Sequence, residues 1–283
     1  GADTVFLNGN VGIGITSPSE KLHVVGRISQ TGLGGSTFIG SDAGRFDNLD
    51  NNFNTAVGYA VMSEAVSTKY NTALGAYALK ENYAGDFNVA IGAFALVNNT
   101  TGSYNTSVGV NSLYLNNSGD NNSAFGWSAL ENNTTGNGNV AVGTASLKNN
   151  TAGISNTSVG RSSLRDNTTG NNNTSVGFEN LLLNTTGRNN TALGYRVLRS
   201  NTTGIGNIGV GELSLYNNTE GGYNIALGSS ALSNNTTGEY NIDRYLDAFN
   251  KRVKPLLVCF DPSLRDDILI SNPSDRKYYT RQE

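Results

Sequence analysis

Apolar and polar positions along this chain repeat with a step of 17 residues. The clearest marker is the glycine that closes segments such as Ala73-Leu74-Gly75. It recurs at Gly40, Gly58, Gly75, Gly92, Gly109, Gly126, Gly143, Gly160, Gly177, Gly194, Gly211 and Gly228, with a first step of 18 residues and ten steps of 17. An asparagine lies four residues before this glycine in eleven copies, among them Asn71, Asn88 and Asn105, and Ser36 fills the first. The residue just before the glycine is apolar throughout (Ile39, Val57, Leu74, Ile91, Val108, Phe125). The one before that is Ala, Ser or Gly in every copy but Phe38. Four residues after the glycine a leucine recurs ten times, starting with Leu79, Leu96, Leu113 and Leu130. A second glycine runs from Gly85 to Gly238, with an asparagine three residues ahead of it from Asn82 to Asn235. The unit reads N-T-A-V-G-x-x-A-L-x-x-N-T-T-G-x-x.

A strict period of this length is the signature of a solenoid. One unit cannot bury its Val and Leu alone, so units must stack on their neighbours. Thr-Ala-Val predicts a short strand with a β-branched start. The glycines and asparagines mark corners, because both tolerate positive φ. Stacked asparagine side chains can bond from coil to coil. The expected fold class is all-β: a β-solenoid, or β-roll, of about twelve 17-residue coils. The segment G-x-x-A-L-x-x-N reads as a second strand or a single helical turn. Helices need about 8–10 Å between axes, against about 4.8 Å between strands, which favours a mostly β coil with a tight turn around Ala-Leu.

The strand pattern leads to an expectation about the core. The apolar column before the glycine and the leucine column would together form one continuous core. The small column (Ala124, Ala141, Ser158) would then face outward and admit another chain, around a symmetry axis. The alternative is that both strand faces pack inside one narrow coil. The first reading makes the chain a homo-oligomer, with a trimer expected.

Composition narrows the function classes. The chain has 283 residues, with 35 glycines and only 14% charged residues, a turn-rich β profile. A net charge of -3 gives no case for nucleic acid or an anionic membrane. The single cysteine, Cys259, excludes an internal disulfide framework. No apolar run is long enough for membrane insertion as a helix. The chain begins Gly1-Ala2-Asp3 without Met, as a processed chain or a fragment would.

The two ends differ from the repeat, dividing the chain into 1–35, 36–242 and 243–283. The start, Asn8-Gly9-Asn10-Val11-Gly12-Ile13-Gly14-Ile15-Thr16-Ser17-Pro18, continuing to Lys21-Leu22-His23-Val24-Val25-Gly26, resembles a module that leads into the shaft of phage tail fibres and bacterial surface proteins. Ile15 is an extra residue relative to that pattern. From the residues alone, Lys21–Val25 is a strand after a proline turn, able to cap the first coil. The repeat region resembles the heads of trimeric autotransporter adhesins and related phage fibre shafts, which stack A-V-G or A-I-G strands into trimeric β-rolls that bind surfaces. The 17-residue period is longer than the usual adhesin head unit.

From Asp243 the texture changes: 15 of 41 residues are charged and three of the four prolines fall there. Tyr245, Leu246, Phe249 and Val253 share one face of an expected helix. Pro255–Phe260 reads as a buried strand. This α/β segment faintly resembles part of the large subunit of phage type II topoisomerases, and is read as a cap or as a junction.

Catalytic and metal chemistry find few residues. His23, the one histidine, is read as structural, so no conventional His-based triad assembles. Acids such as Glu131, Glu179 and Glu212 sit at variable positions, with no matched pair for glycoside cleavage. Gly12-Ile13-Gly14 lacks the rest of a phosphate loop. No cofactor or metal is expected, and the chain is not expected to be an enzyme. The Asn-x-Ser/Thr triplets, such as Asn99-Thr100-Thr101 and Asn105-Thr106-Ser107, follow from the corner ladders better than from glycosylation. Recognition falls to the two variable positions after each repeat glycine. Tyr77, Phe94, Trp127, Phe178 and Tyr195 lie there, with Arg161 and Arg196 among them, and would line one edge of the rod facing a cell-surface glycan or protein. The alternative is that these rings pack on neighbouring rungs.

The expected function is a structural and adhesive fibre segment, on a virion or at the cell surface. One rival is the non-catalytic shaft of an enzyme-bearing fibre. A remote rival is an ice-binding solenoid built on Thr55, Thr72, Thr106, Thr157, Thr174 and Thr191, although Val89, Val140, Ile208 and Ile225 share that column.

Overall fold

A computed structural model describes residues 5–7, 10–13, 21–24, 35–48 and 52–244. The expected C-terminal helix face and strand, with Cys259, lie outside them.

A three-stranded sheet is formed by β1 (Val5–Leu7), β2 (Asn10–Ile13) and β3 (Leu22–Val24). The first pair is antiparallel and the second parallel, with Gly12 opposite His23. The strand expected around His23 is therefore present. A second sheet has thirteen parallel strands, from β4 (Thr37–Ile39) to β16 (Ile242–Arg244), in strict sequence order. Each rung pairs with the equivalent residues one unit on, as Val140, Ala141 and Val142 do with Thr157, Ser158 and Val159. At about 4.8 Å per rung the sheet is roughly 58 Å long. The repeat runs two residues beyond position 242: Asp243 and Arg244 pair opposite Ala226 and Leu227, and Asp243 accepts the Leu232 N–H at 3.1 Å.

Each coil holds one strand, and the G-x-x-A-L-x-x-N segment is neither a second strand nor a helix but a continuous turn. Its backbone is bonded from coil to coil in both directions. Tyr77 N–H donates to Tyr59 O (2.9 Å), and Leu79 N–H to Ala95 O (3.0 Å). Tyr77 and Leu79 both have positive φ, 61° and 50°, and Leu96, Leu113 and Leu130 repeat this at 51°, 51° and 52°. A left-handed leucine costs about 1–2 kcal/mol. Its full burial in a continuous ladder offsets that, since burying a leucine contributes about 1.5–3 kcal/mol.

The interior corrects the expected core. The small column faces inward: Ala124, Ala141 and Ser158 are fully buried, opposite the buried Leu113, Leu130 and Leu147. They therefore cannot approach another chain. The apolar column before the glycine, expected inside, faces out, with Leu74 at 47%, Ile91 at 36% and Phe125 at 40% exposure. Side chains alternate along a strand, so only one of the two columns can be interior. The small one fits because two asparagine columns and a further small column (Ala78, Ala95, Ser112) already share the coil with the leucines. One coil shows how tight the fit is. Where that further column carries Val197, the strand carries Gly209, and a Cβ on Gly209 would lie 2.5 Å from Val197 Cγ1.

Both asparagine columns are buried and bonded, as expected of corner ladders. Asn88 Nδ2 and Asn99 Nδ2 converge on Gly102 O, at 2.9 and 2.8 Å. Asn105 N–H donates to Asn88 Oδ1 (2.9 Å), and Asn99 Nδ2 to Asn82 Oδ1 (2.7 Å). Asn99 and Asn105, two of the Asn-x-Ser/Thr residues, are thus committed to the coil. The two glycine columns answer to close approach. A Cβ on Gly75 (φ 128°) would lie 2.7 Å from the Gly92 carbonyl. A Cβ on Gly102 would lie 2.5 Å from Asn99 Oδ1 and Gly119 O.

Candidate binding surface

Because packing fixes the inward columns, the variable positions outside them form the accessible surface. It includes the outer sheet face, the edge after the repeat glycine, the turn after the repeat leucine, and the corner before the strand asparagine.

The outer sheet face carries two columns. One is β-branched or small (Thr72, Val89, Thr106, Ser123) and the other large and apolar (Leu74, Ile91, Val108, Phe125). These are the outward first and third residues of each strand. Large apolar side chains thus lie in register along a face that solvent reaches.

The edge holds the residues picked out from sequence, and it brings them together in two groups rather than one line. Towards the N-terminal side, Tyr59 meets Tyr77 edge-on at 5.3 Å, and Tyr77 stacks on Phe94 at 5.1 Å. Further along, Phe178 stacks on Tyr195 at 5.4 Å, where the strands lengthen to Thr174–Phe178 and Thr191–Tyr195. Arg161 lies 4.9 Å above the Phe178 ring, and Arg196 lies 5.0 Å from that of Tyr195. Glu179 accepts from Arg196 Nε (2.9 Å) and Arg199 Nε (3.3 Å). Trp127 stands apart at 53% exposure, with the Lys148 ammonium 5.6 Å over its ring. Stacked rings cover one another's faces, so most of this edge presents ring rims and cations instead of open aromatic faces.

Charge in the turn after the leucine column is also locally paired. Arg165 grips Asp166 through Nε (2.8 Å) and Nη2 (2.6 Å). That hydrogen bond holds the Asp166 carboxyl below the usual carboxylate range and raises the Arg165 guanidinium.

The corner was missed from sequence. Phe53, Tyr70, Phe87 and Tyr104 form a continuous exposed stack with centroid spacings of 5.5, 4.9 and 5.0 Å. Tyr223 and Tyr240 repeat it at 5.1 Å. The legible signal was four successive aromatics in the last position of the unit.

Among the described residues, no group of three or more His, Cys, Asp or Glu is placed to hold a metal ion, and no helix is long and apolar enough to cross a membrane. The chain matches no family model, no curated protein and no solved structure.

Proposed function

We propose that this chain is the rod of an attachment fibre, a structural segment that also carries adhesive residues, as in a phage tail fibre or a bacterial surface adhesin. The observation that supports this reading most is the division of labour within the unit. The repeated asparagine, leucine and small-residue positions are buried, while the exposed edge varies in ring and charge from coil to coil. A rod with a constant interior and a variable edge suits extended contact with a surface better than turnover at one point.

Self-association belongs to the same reading, through the outer sheet face and not the small column. A face roughly 58 Å long and about 10 Å wide offers about 600 Å² per copy. Two copies would bury about 1,200 Å², the lower end of specific interfaces. A second copy of this chain is the occupant that matches the face in length and register, and a trimer would use the same face. The ice-binding alternative draws on the outward threonines, but Leu74, Phe125 and Leu193 project from the same face and break its flatness.

The test is binding of the labelled chain to whole bacterial cells, set against a variant with Trp127, Phe178 and Tyr195 replaced by Ser. Saturable binding that the variant loses while keeping its circular dichroism supports the reading. A chain that binds no surface, and sediments as a monomer at micromolar concentration, overturns it.

A further inference from the structure

The edge stack has one opening. Tyr77 covers one face of the Phe94 ring. The next rung of that column is Asn111, which carries no ring, so the opposite face of Phe94 is free of stacking. Tyr114 approaches it at 54° with centroids 6.4 Å apart, which leaves both rings at a slant. Phe94, Asn111, Tyr114 and Glu131 line an open cavity of about 230 Å³ at this place. Glu131 Oε2 is buried and accepts no hydrogen bond. The Lys148 ammonium lies 3.2 Å from it, out of line for one.

We propose that this cavity is a subsite for a single neutral pyranose residue of a surface glycan. The proposal rests on the adhesive-rod reading and gives it a ligand class and a location. A pyranose has one face of C–H groups and a rim of hydroxyls. The C–H face needs an aromatic face that no stacked ring covers, and Phe94 supplies one at the cavity. Hydroxyls need acceptors and donors held beside the ring. The Glu131 carboxylate accepts, and the Asn111 amide does both. The cavity is smaller than the about 300–1,000 Å³ of drug-sized sites, in keeping with one sugar ring. A quaternary ammonium ion is the rival occupant of two aromatic rings and a carboxylate. One feature disfavours it: Lys148 already balances the Glu131 charge.

The experiment is saturation-transfer NMR on the full chain with four probes: the methyl glycosides of glucose, galactose, mannose and N-acetylglucosamine. Each is held at about 10 mM, enough to fill a millimolar site. Saturation is expected to reach ring C–H protons of at least one glycoside. Phe94→Leu should weaken that binding at least tenfold while keeping the apolar volume. Glu131→Gln should weaken it severalfold without unfolding the coil. Tetramethylammonium should show no transfer. Absence of transfer to every glycoside, equal transfer in Phe94→Leu, or transfer to tetramethylammonium alone overturns the proposal. Cell binding by the same variants separates the two claims. If Phe94→Leu still binds cells as the unaltered chain does, the subsite fails and the rod reading stands. If the unaltered chain binds no cells, the rod reading fails by itself.

Discussion

Replacing Asn122 by Ala tests whether buried amides, as much as leucines, hold the coils together. Asn122 Nδ2 donates to Gly136 O at 2.8 Å, and its Oδ1 accepts from the Asn139 N–H at 3.0 Å. Gly136 O would keep its bond from Asn133 Nδ2 (3.0 Å), and Asn139 Nδ2 its bond to Gly153 O (2.8 Å). The Asn139 backbone N–H, in a fully buried residue, would lose its acceptor. An orphaned buried donor costs about 1–3 kcal/mol and a lost ordinary bond about 0.5–1.5 kcal/mol, so Asn122→Ala should cost about 2–4 kcal/mol. A stacked array unfolds in parts, so one global free energy is ill-defined. Amide hydrogen exchange at Asn139, compared with Asn190 three coils on, reads the local loss. At a tenfold change per 1.4 kcal/mol, exchange at Asn139 should quicken roughly 30- to 700-fold. Thr135→Ala, exposed in the same coil, is the control and should change little.

Asn122→Asp adds a pH test. It keeps an acceptor for Asn139 but sets an oxygen against Gly136 O and buries a charge. Both raise the folded carboxyl pKa above its unfolded value of about 3.9. The penalty is therefore absent below about pH 3.9 and grows as pH rises through the folded pKa. Equal Asn139 exchange in Asn122→Ala and Thr135→Ala would refute the reasoning.

Three further outcomes follow from the same geometry. Leu130→Ala, at 0% exposure between Leu113 and Leu147, should fall in the upper half of the about 2–5 kcal/mol range for buried leucines, because the bonded coil cannot collapse on the gap; a drop in thermal midpoint no larger than that of Thr135→Ala would contradict it. Gly138 (φ 65°) has no closer neighbour to a new Cβ than Ser155 Oγ at 3.8 Å, whereas Gly143 (φ 126°) would meet the Gly160 carbonyl at 2.8 Å. Gly138→Ala should thus cost only its left-handed strain of about 1–2 kcal/mol, and Gly143→Ala distinctly more in urea titrations. Asp166 is held below the usual range by Arg165, so its contribution is present above the unfolded pKa and lost as pH falls through the folded one. The pair is partly exposed, at 38% and 25%, so Asp166→Asn should flatten the acid limb of stability by only a few tenths of a kcal/mol, measured as the thermal midpoint against pH.

The sequence by itself determined the solenoid, its period, the strand in each unit and the two asparagine ladders. A spacing of 17 repeated ten times admits only stacking, and an asparagine at every corner needs a partner at the equivalent corner of the next coil. The leucine column was equally legible as interior, since no other arrangement buries ten leucines in register. What the tertiary structure decided was which strand face is inside. Alternation sets Ala141 against Val140 and Val142 without saying which side is wet. The answer came from volume, because leucines and two asparagine columns already fill a coil of this circumference and leave room only for Ala, Ser or Gly. Gly209, where a Cβ would lie 2.5 Å from Val197 Cγ1, is one mark of that limit, and the variation of size from Val108 to Phe125 outside is its counterpart. The cavity beside Phe94 was closed to sequence reading for a related reason. It exists because a stack of rings stops at Asn111, and which ring face is left uncovered depends on the coil-to-coil contacts that only the folded rod supplies.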